Sequence, residues 1–257
     1  MDPMPSRLDL IEALRPLVRR AGEAVMQVYA QAIAVRAKPD ESPVTDADER
    51  AEALIVEGLS RLAPRIPIVA EEAVAAGRLP ALGERFWLVD PLDGTREFIA
   101  RNGEFTVNIA LVEHGRPVLG VVLAPALGQL FDGVAGGPAT LTDHAGRRDI
   151  RCRPAPPQGL TVLASRSHGD AAALQRFLAG QHVAALRHVG SSLKLCLIAA
   201  GQADLCPRFG RTMEWDTAAG HAVLAAAGGR VTDLSGAELR YGKRGLENPD
   251  FVARGLG

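Results

Sequence analysis

Trp87-Leu-Val-Asp-Pro-Leu-Asp-Gly-Thr95 is an apolar run that ends in two carboxylates three residues apart and a Gly-Thr step. The run Phe86 to Val89 predicts a strand ending at Asp90, where Pro91 withholds a backbone donor. Gly94 permits the tight reversal that swings Asp93 back beside Asp90, so both carboxylates can face one pocket. Hard oxygen ligands of this kind suit Mg²⁺, and the backbone carbonyl of Leu92 offers a further one. The N–H groups of Gly94 and Thr95, if they open a short helix, attract an anion.

In isolation, Asp-x-x-Asp-Gly reads equally as an ordinary β-turn in which Asp caps its own backbone. Its company changes the reading. Ile66-Pro-Ile-Val-Ala70 predicts a short buried strand that delivers Glu71-Glu72 at its carboxyl end, where open α/β sheets place ligands, although periodicity does not say which glutamate faces inward. Glu214-Trp-Asp-Thr217 opens a periodic helix with Asp216 in its first turn, a position that the helix dipole alone would favour. The apolar stripe Trp215, Ala218, Ala219, Ala222, Val223 and Ala226 sets Asp216 off the core face beside Gly220, a neighbour whose missing side chain leaves room for a ligand. Thr45-x-x-Asp48 fits a capping box before Leu54, Ile55, Leu59 and Leu62, so a helix begins near Asp46 and capping by itself accounts for Asp48.

Elsewhere, Leu14, Leu17, Val18, Ala21, Val25 and Val28 recur at helical spacing, with Pro16 either starting or kinking that helix. Phe105 to Leu123 predicts two strands joined at Glu113-His-Gly-Arg116, and Gln129 to Val134 a third. Arg153-Pro-Ala-Pro-Pro-Gln-Gly159 is the clearest linker and divides an α+β unit, residues 1–153, from a smaller α/β unit, residues 154–257. In the second unit, strands Leu160 to Ala164, Ala184 to His188 and Ala203 to Pro207 alternate with helices Ala171 to Ala179, Ser191 to Ala200 and Trp215 to Ala227. Ser191 and Ser192 follow Gly190 at such a helix start and can hold a second phosphate, with Lys194 as a mobile positive charge; an N-cap beside a solvated lysine is the competing reading.

A net charge of -1 over 257 residues argues against a binding surface for nucleic acid polymer, and 47% hydrophobic content allows a large core. The three cysteines would leave one unpaired in any disulfide scheme, which points to a reducing cytoplasm. Charged residues interrupt the N-terminus, and no run reaches 18 apolar residues, so neither a secretory signal nor an integral membrane segment is expected.

Together, Pro43-Val-Thr-Asp-Ala-Asp48, Glu71-Glu72, Asp90-Pro-Leu-Asp-Gly-Thr95 and Trp215-Asp-Thr-Ala-Ala-Gly220 resemble the inositol monophosphatase superfamily of Mg²⁺-dependent, lithium-sensitive phosphatases. Gly94-Thr-Arg-Glu-Phe98, Asn102-Gly-Glu-Phe-Thr-Val-Asn108, Ser165-Arg-Ser-His168, Gly190-Ser-Ser-Leu-Lys194 and Pro207-Arg-Phe-Gly210 are similar to its CysQ branch, the 3'(2'),5'-bisphosphate nucleotidases. Arg96 departs from the Lys frequent there, and Ala70 from the usual Ser or Gly. The resemblance implies an α+β fold, a layered αβαβα sandwich of the inositol monophosphatase/fructose bisphosphatase type. It implies two or three Mg²⁺ ions held by Glu71, Asp90, the Leu92 carbonyl, Asp93 and Asp216, with Asp48 and Thr95 as the catalytic pair. It also implies that Ser165 and His168 contact a phosphorylated nucleotide, together with Gly94, Ser191, Lys194 and Arg208. The expected reaction is Mg²⁺-dependent hydrolysis of the 3'-phosphate of adenosine 3',5'-bisphosphate, with inositol monophosphate or another sugar phosphate as the alternative substrate class. The expected protein is a cytoplasmic monomer or homodimer, with peripheral inner-membrane association left open.

Overall fold

The computed structural model describes residues 5–38, 43–166 and 170–256. Its helices are α1 (Arg7–Tyr29), α2 (Asp46–Leu62), α3 (Glu71–Ala75), α4 (Thr95–Ile99), α5 (Ala171–Leu178), α6 (Leu193–Ala199) and α7 (Glu214–Ala226). The strands of the first half are β1 (Val35–Ala37), β2 (Pro43–Thr45), β3 (Ile68–Ala70), β4 (Arg85–Asp93), β5 (Thr106–Glu113), β6 (Arg116–Ala124), β7 (Gln129–Val134), β8 (Ala139–Asp143) and β9 (Gly146–Ile150). Those of the second half are β10 (Leu160–Ser165), β11 (Val183–Val189), β12 (Leu205–Arg208), β13 (Thr212–Met213), β14 (Arg230–Asp233), β15 (Glu247–Asn248) and β16 (Phe251–Arg254).

Alternation along β4 builds the layers. Trp87 and Val89 join Leu10, Leu14 and Val18 of α1 and Ala51 and Ile55 of α2 in one buried cluster, while Phe86 and Leu88 join Leu195 of α6 and Trp215 and Ala218 of α7 in another. The seven-stranded sheet β3-β4-β5-β6-β7-β8-β9 thus has a helical layer on each face; only β3 and β4 pair in parallel. Leu163, Cys206, Val231 and Phe251 bring a second sheet, ordered β11-β10-β12-β16-β14, onto the far side of α6 and α7. Its outer face, Val162, Leu205 and Val252, is covered by Phe177 and Leu178 of α5. The result is the expected αβαβα sandwich.

Three local readings are corrected. The first helix does not start at Pro16 but at Arg7, because Ser6 and Asp9 cap its start reciprocally and Leu10, Ile11 and Leu14 are buried ahead of the proline. The helix expected from Ser191 begins at Leu193, since Ser191 takes a left-handed φ of 50°. The strand expected to stop at Asp90 continues to Asp93 through a bulge: Asp90 pairs with Asn108 and Asp93 with Thr106, so β4 advances one residue more than β5. Pro91 is tolerated there because the bulge interrupts the ladder.

Close approach fixes α7 on the first sheet. A Cβ on Gly120 of β6 would lie 2.2 Å from the Ala219 carbonyl oxygen, so the helix backbone rests directly on the strand.

Candidate active site

The bulge of β4 turns Asp90 and Asp93 toward one cavity of about 390 Å³. Gly94 follows with φ 91°, and a Cβ there would sit 3.3 Å from the Glu104 carbonyl, which explains a glycine at the entry to α4. Glu71 arrives from the end of β3 and Asp216 from the first turn of α7; both line the same cavity, as do Leu92, Thr95, Ser165, Ser191, Lys194 and Arg208. His168 lies outside the described residues.

Asp48 sits beneath the cavity rather than on its wall, 1% exposed. Its two oxygens do different work. Oδ2 accepts from the Thr45 N–H and hydroxyl, both at 2.8 Å, completing the capping box. Oδ1 lies 3.4 Å from Thr95 Oγ1, which is also 3.2 Å from the Leu92 carbonyl oxygen. The capping reading and the Thr95 pairing therefore hold together. Burial raises the Asp48 carboxyl to about 6 against the opposing pull of the Thr45 bonds.

The other carboxylates are also displaced upward. Burial, followed by the charges of Glu71, Asp93 and Asp216, holds Asp90 well above the usual range, while its Oδ1 accepts from Leu92 N at 3.0 Å. Burial raises Asp93 to about 6, opposed chiefly by the Lys194 ammonium and by the Ser192 N–H that it accepts. Asp216, which accepts from Met213 N at 2.8 Å, is pushed well up by burial and then by Asp93 and Glu71. Burial, and for Asp90 and Asp216 the added repulsion of their acidic neighbours, is a cost that a bound cation would relieve.

Lys38 supplies one positive charge, and the sequence reading gave it no role. Its Nζ lies 2.7 Å from Glu71 Oε1 and 2.6 Å from Glu72 Oε1, with the side chain only 7% exposed. Among the described residues no three His, Cys, Asp or Glu side chains are already gathered into a metal-holding group. The candidate donors nevertheless fit a hard divalent cation: Glu71, Asp90, Asp93 and Asp216, with Leu92 and its carbonyl, line one cavity, and every donor in that set is an oxygen. A lone lysine just ahead of an acidic helix start was the available signal for Lys38.

Three expectations at the cavity need revision. Lys194 is not a mobile charge: it is 7% exposed and donates to the carbonyls of Val189 at 3.1 Å and Ser191 at 2.6 Å. Ser192 Oγ is committed to Asn108 Oδ1 at 2.7 Å and Thr106 Oγ1 at 3.0 Å, so it belongs to the frame rather than to a ligand. The room expected beside Gly220 is filled by α6, since a Cβ there would meet Leu195 Cβ at 3.0 Å. Arg211 and Glu97 also line the cavity; Arg211 falls just past the Pro207 to Gly210 motif, and Glu97, though within the Gly94 to Phe98 motif, was given no role.

The sequence profile of the inositol monophosphatase family matches residues 7–254. The 3'(2'),5'-bisphosphate nucleotidase CysQ of Escherichia coli O157:H7 is 49% identical over 247 residues, covering 94% of this chain and 98% of the relative. The crystal structure of CysQ from Bacteroides thetaiotaomicron, described as a bacterial member of the inositol monophosphatase family, superposes with a TM-score of 0.80 at 35% identity, covering 96% and 97% of the two chains. The Thermotoga maritima IMPase gives the same TM-score at 27% identity, with 96% and 92% coverage.

Proposed function

The chain belongs to the inositol monophosphatase family, on its CysQ branch, and from that premise we propose that it hydrolyses the 3'-phosphate of adenosine 3',5'-bisphosphate to AMP and phosphate. The observation that carries this reading is the convergence of Glu71, Asp90, Asp93, Asp216 and Thr95 on one cavity, with Asp48 reaching Thr95 from below. The nucleotidase names of the relatives support the substrate class.

Phosphate monoesters resist attack because their oxygens repel a nucleophile. Glu71, Asp90, the Leu92 carbonyl, Asp93 and Asp216 would hold two or three Mg²⁺ ions, which would supply neutralising charge, an activated water and stabilisation of the leaving oxygen. Asp48, raised to about 6 and still ionised at pH 7, accepts a proton through the Thr95 hydroxyl. That hydroxyl donates to one oxygen at a time, so its position between Asp48 Oδ1 and the Leu92 carbonyl suits a relay. The first turn of α4, at Gly94 and Thr95, presents N–H groups to the transferring phosphoryl oxygens. Ser165, Ser191 and Arg208 border the space left for the nucleotide, and buried Lys194 contributes field rather than direct grip.

In this reading residues 1–153 carry the metal and phosphate groups, and residues 154–257 contribute Asp216 and the nucleotide contacts. Phosphate release from adenosine 3',5'-bisphosphate, inositol monophosphate and fructose bisphosphate, each with and without Mg²⁺, tests it. Preference for the nucleotide with an absolute Mg²⁺ requirement is expected; preference for either sugar phosphate overturns the substrate assignment.

A further inference from the structure

Glu52 lies one helical turn after Asp48 on α2 and is 7% exposed, although no part of the reaction above uses it. Its Oε2 accepts from Glu72 N at 2.7 Å, and the Ala73 N–H is a second donor to the same carboxylate. These are first-turn donors of α3, whose N-cap residue, Ala70, has no side-chain acceptor to offer. A five-residue helix does not hold itself. The cap that α3 lacks locally is therefore delivered by another helix.

The consequence falls on Glu71, the first residue of α3. Its carboxylate enters the cavity in a direction set by the first turn of that helix, and it is close enough to Asp90 to raise it. Asp48 and Glu52, four residues apart on α2, thus anchor the proton acceptor and Glu71 to one rigid body. We propose that Glu52 is a positioning residue: by capping α3 across the α2–α3 contact, it holds Glu71 in place for a divalent cation. The proposal rests on the metal-dependent reading above.

Residues that orient metal ligands usually cost about tenfold to a hundredfold in metal affinity or activity when removed. Glu52→Ala strands both N–H donors, whereas Glu52→Gln keeps an acceptor oxygen at the same reach. The test is Mg²⁺ titration by calorimetry, with thermal unfolding in EDTA and kcat and KM at saturating Mg²⁺. Glu52→Ala is expected to weaken Mg²⁺ binding about tenfold or more with a nucleotide KM within twofold of the wild type, and Glu52→Gln to restore most of the affinity. Should Glu52→Ala not fold, Glu52→Asp replaces it, because its shorter stem withdraws the oxygen from Glu72 N; it is expected to lose Mg²⁺ affinity where Glu52→Gln keeps it. A folded alanine or aspartate variant that binds Mg²⁺ within twofold of the wild type overturns the positioning role. So does a variant whose unfolding temperature, KM and Mg²⁺ affinity all decline together without rescue by glutamine, since that describes general loosening. Wild-type protein that binds no Mg²⁺ fails the metal reading itself, and the inference falls with it.

Discussion

Replacing Asp48 with Asn should make the metal-free protein more stable and the enzyme far slower. In the folded chain burial raises this carboxyl from an ordinary value of 3.8 to about 6. Between these values the folded state holds a proton that the unfolded chain has released, so wild-type stability falls as pH rises through this window. Well above pH 6 the destabilisation is complete; it shrinks as pH falls toward 3.8, so that by about pH 4 little of it is left. A rise of about two pH units at about 1.4 kcal/mol each gives about 3 kcal/mol, with the Thr45 bonds already included in the net displacement. Asn keeps an acceptor for Thr45 and removes the charge. For a chain of this size, about 3 kcal/mol corresponds to roughly 6 °C or more in unfolding temperature. The assay is thermal unfolding in EDTA at pH 4 and pH 8, beside kcat for phosphate release. Stabilisation at pH 8 that largely disappears at pH 4, with kcat lower by about 10²–10⁴, is expected for loss of a proton acceptor. No gain at pH 8, or an equal gain at pH 4, refutes the desolvation argument; kcat within tenfold of the wild type refutes the proton-acceptor role.

Other substitutions probe different parts of the molecule. Lys38→Met removes the ammonium between Glu71 and Glu72, so the unfolding temperature in EDTA should fall while Mg²⁺ binds several-fold more tightly by calorimetry; weaker Mg²⁺ binding would show that Lys38 assists the cation rather than standing in for it. Gly120→Ala drives a Cβ to within 2.2 Å of the Ala219 carbonyl and must displace α7 with Asp216, costing about 3 kcal/mol or more in urea unfolding. A loss below about 1 kcal/mol would mean that α7 is free to shift.

How far the sequence could be read follows from where the information sits. The apolar run Phe86 to Val89, the Thr45 to Asp48 box and the stripe of α7 are local patterns, and each reports its own element directly. The turn at His114-Gly115 is of the same kind, since φ values of 49° and 73° suit the hairpin read from Glu113 to Arg116. What was hidden depends on partners distant in sequence. Lys194 looks like a solvated helix-start lysine until the Val189 and Ser191 carbonyls and the Asp93 charge enclose it. Gly220 looks like open space until Leu195 fills it. The strand through Pro91 was cut short because the bulge that accommodates proline is a property of the β4–β5 register and not of either strand. Short β14 and β16 carry too few residues to announce a period, and Lys38 and Glu52 acquire meaning only beside α3.

The most direct test is a crystal soaked in Mn²⁺ and measured for anomalous scattering. The account predicts one or more peaks in the cavity within ligand distance of Glu71, Asp90, the Leu92 carbonyl, Asp93 and Asp216, with the Lys38 ammonium moved off Glu71. A cavity without anomalous density at saturating Mn²⁺, or ions bound only at carboxylates outside it, would contradict the account.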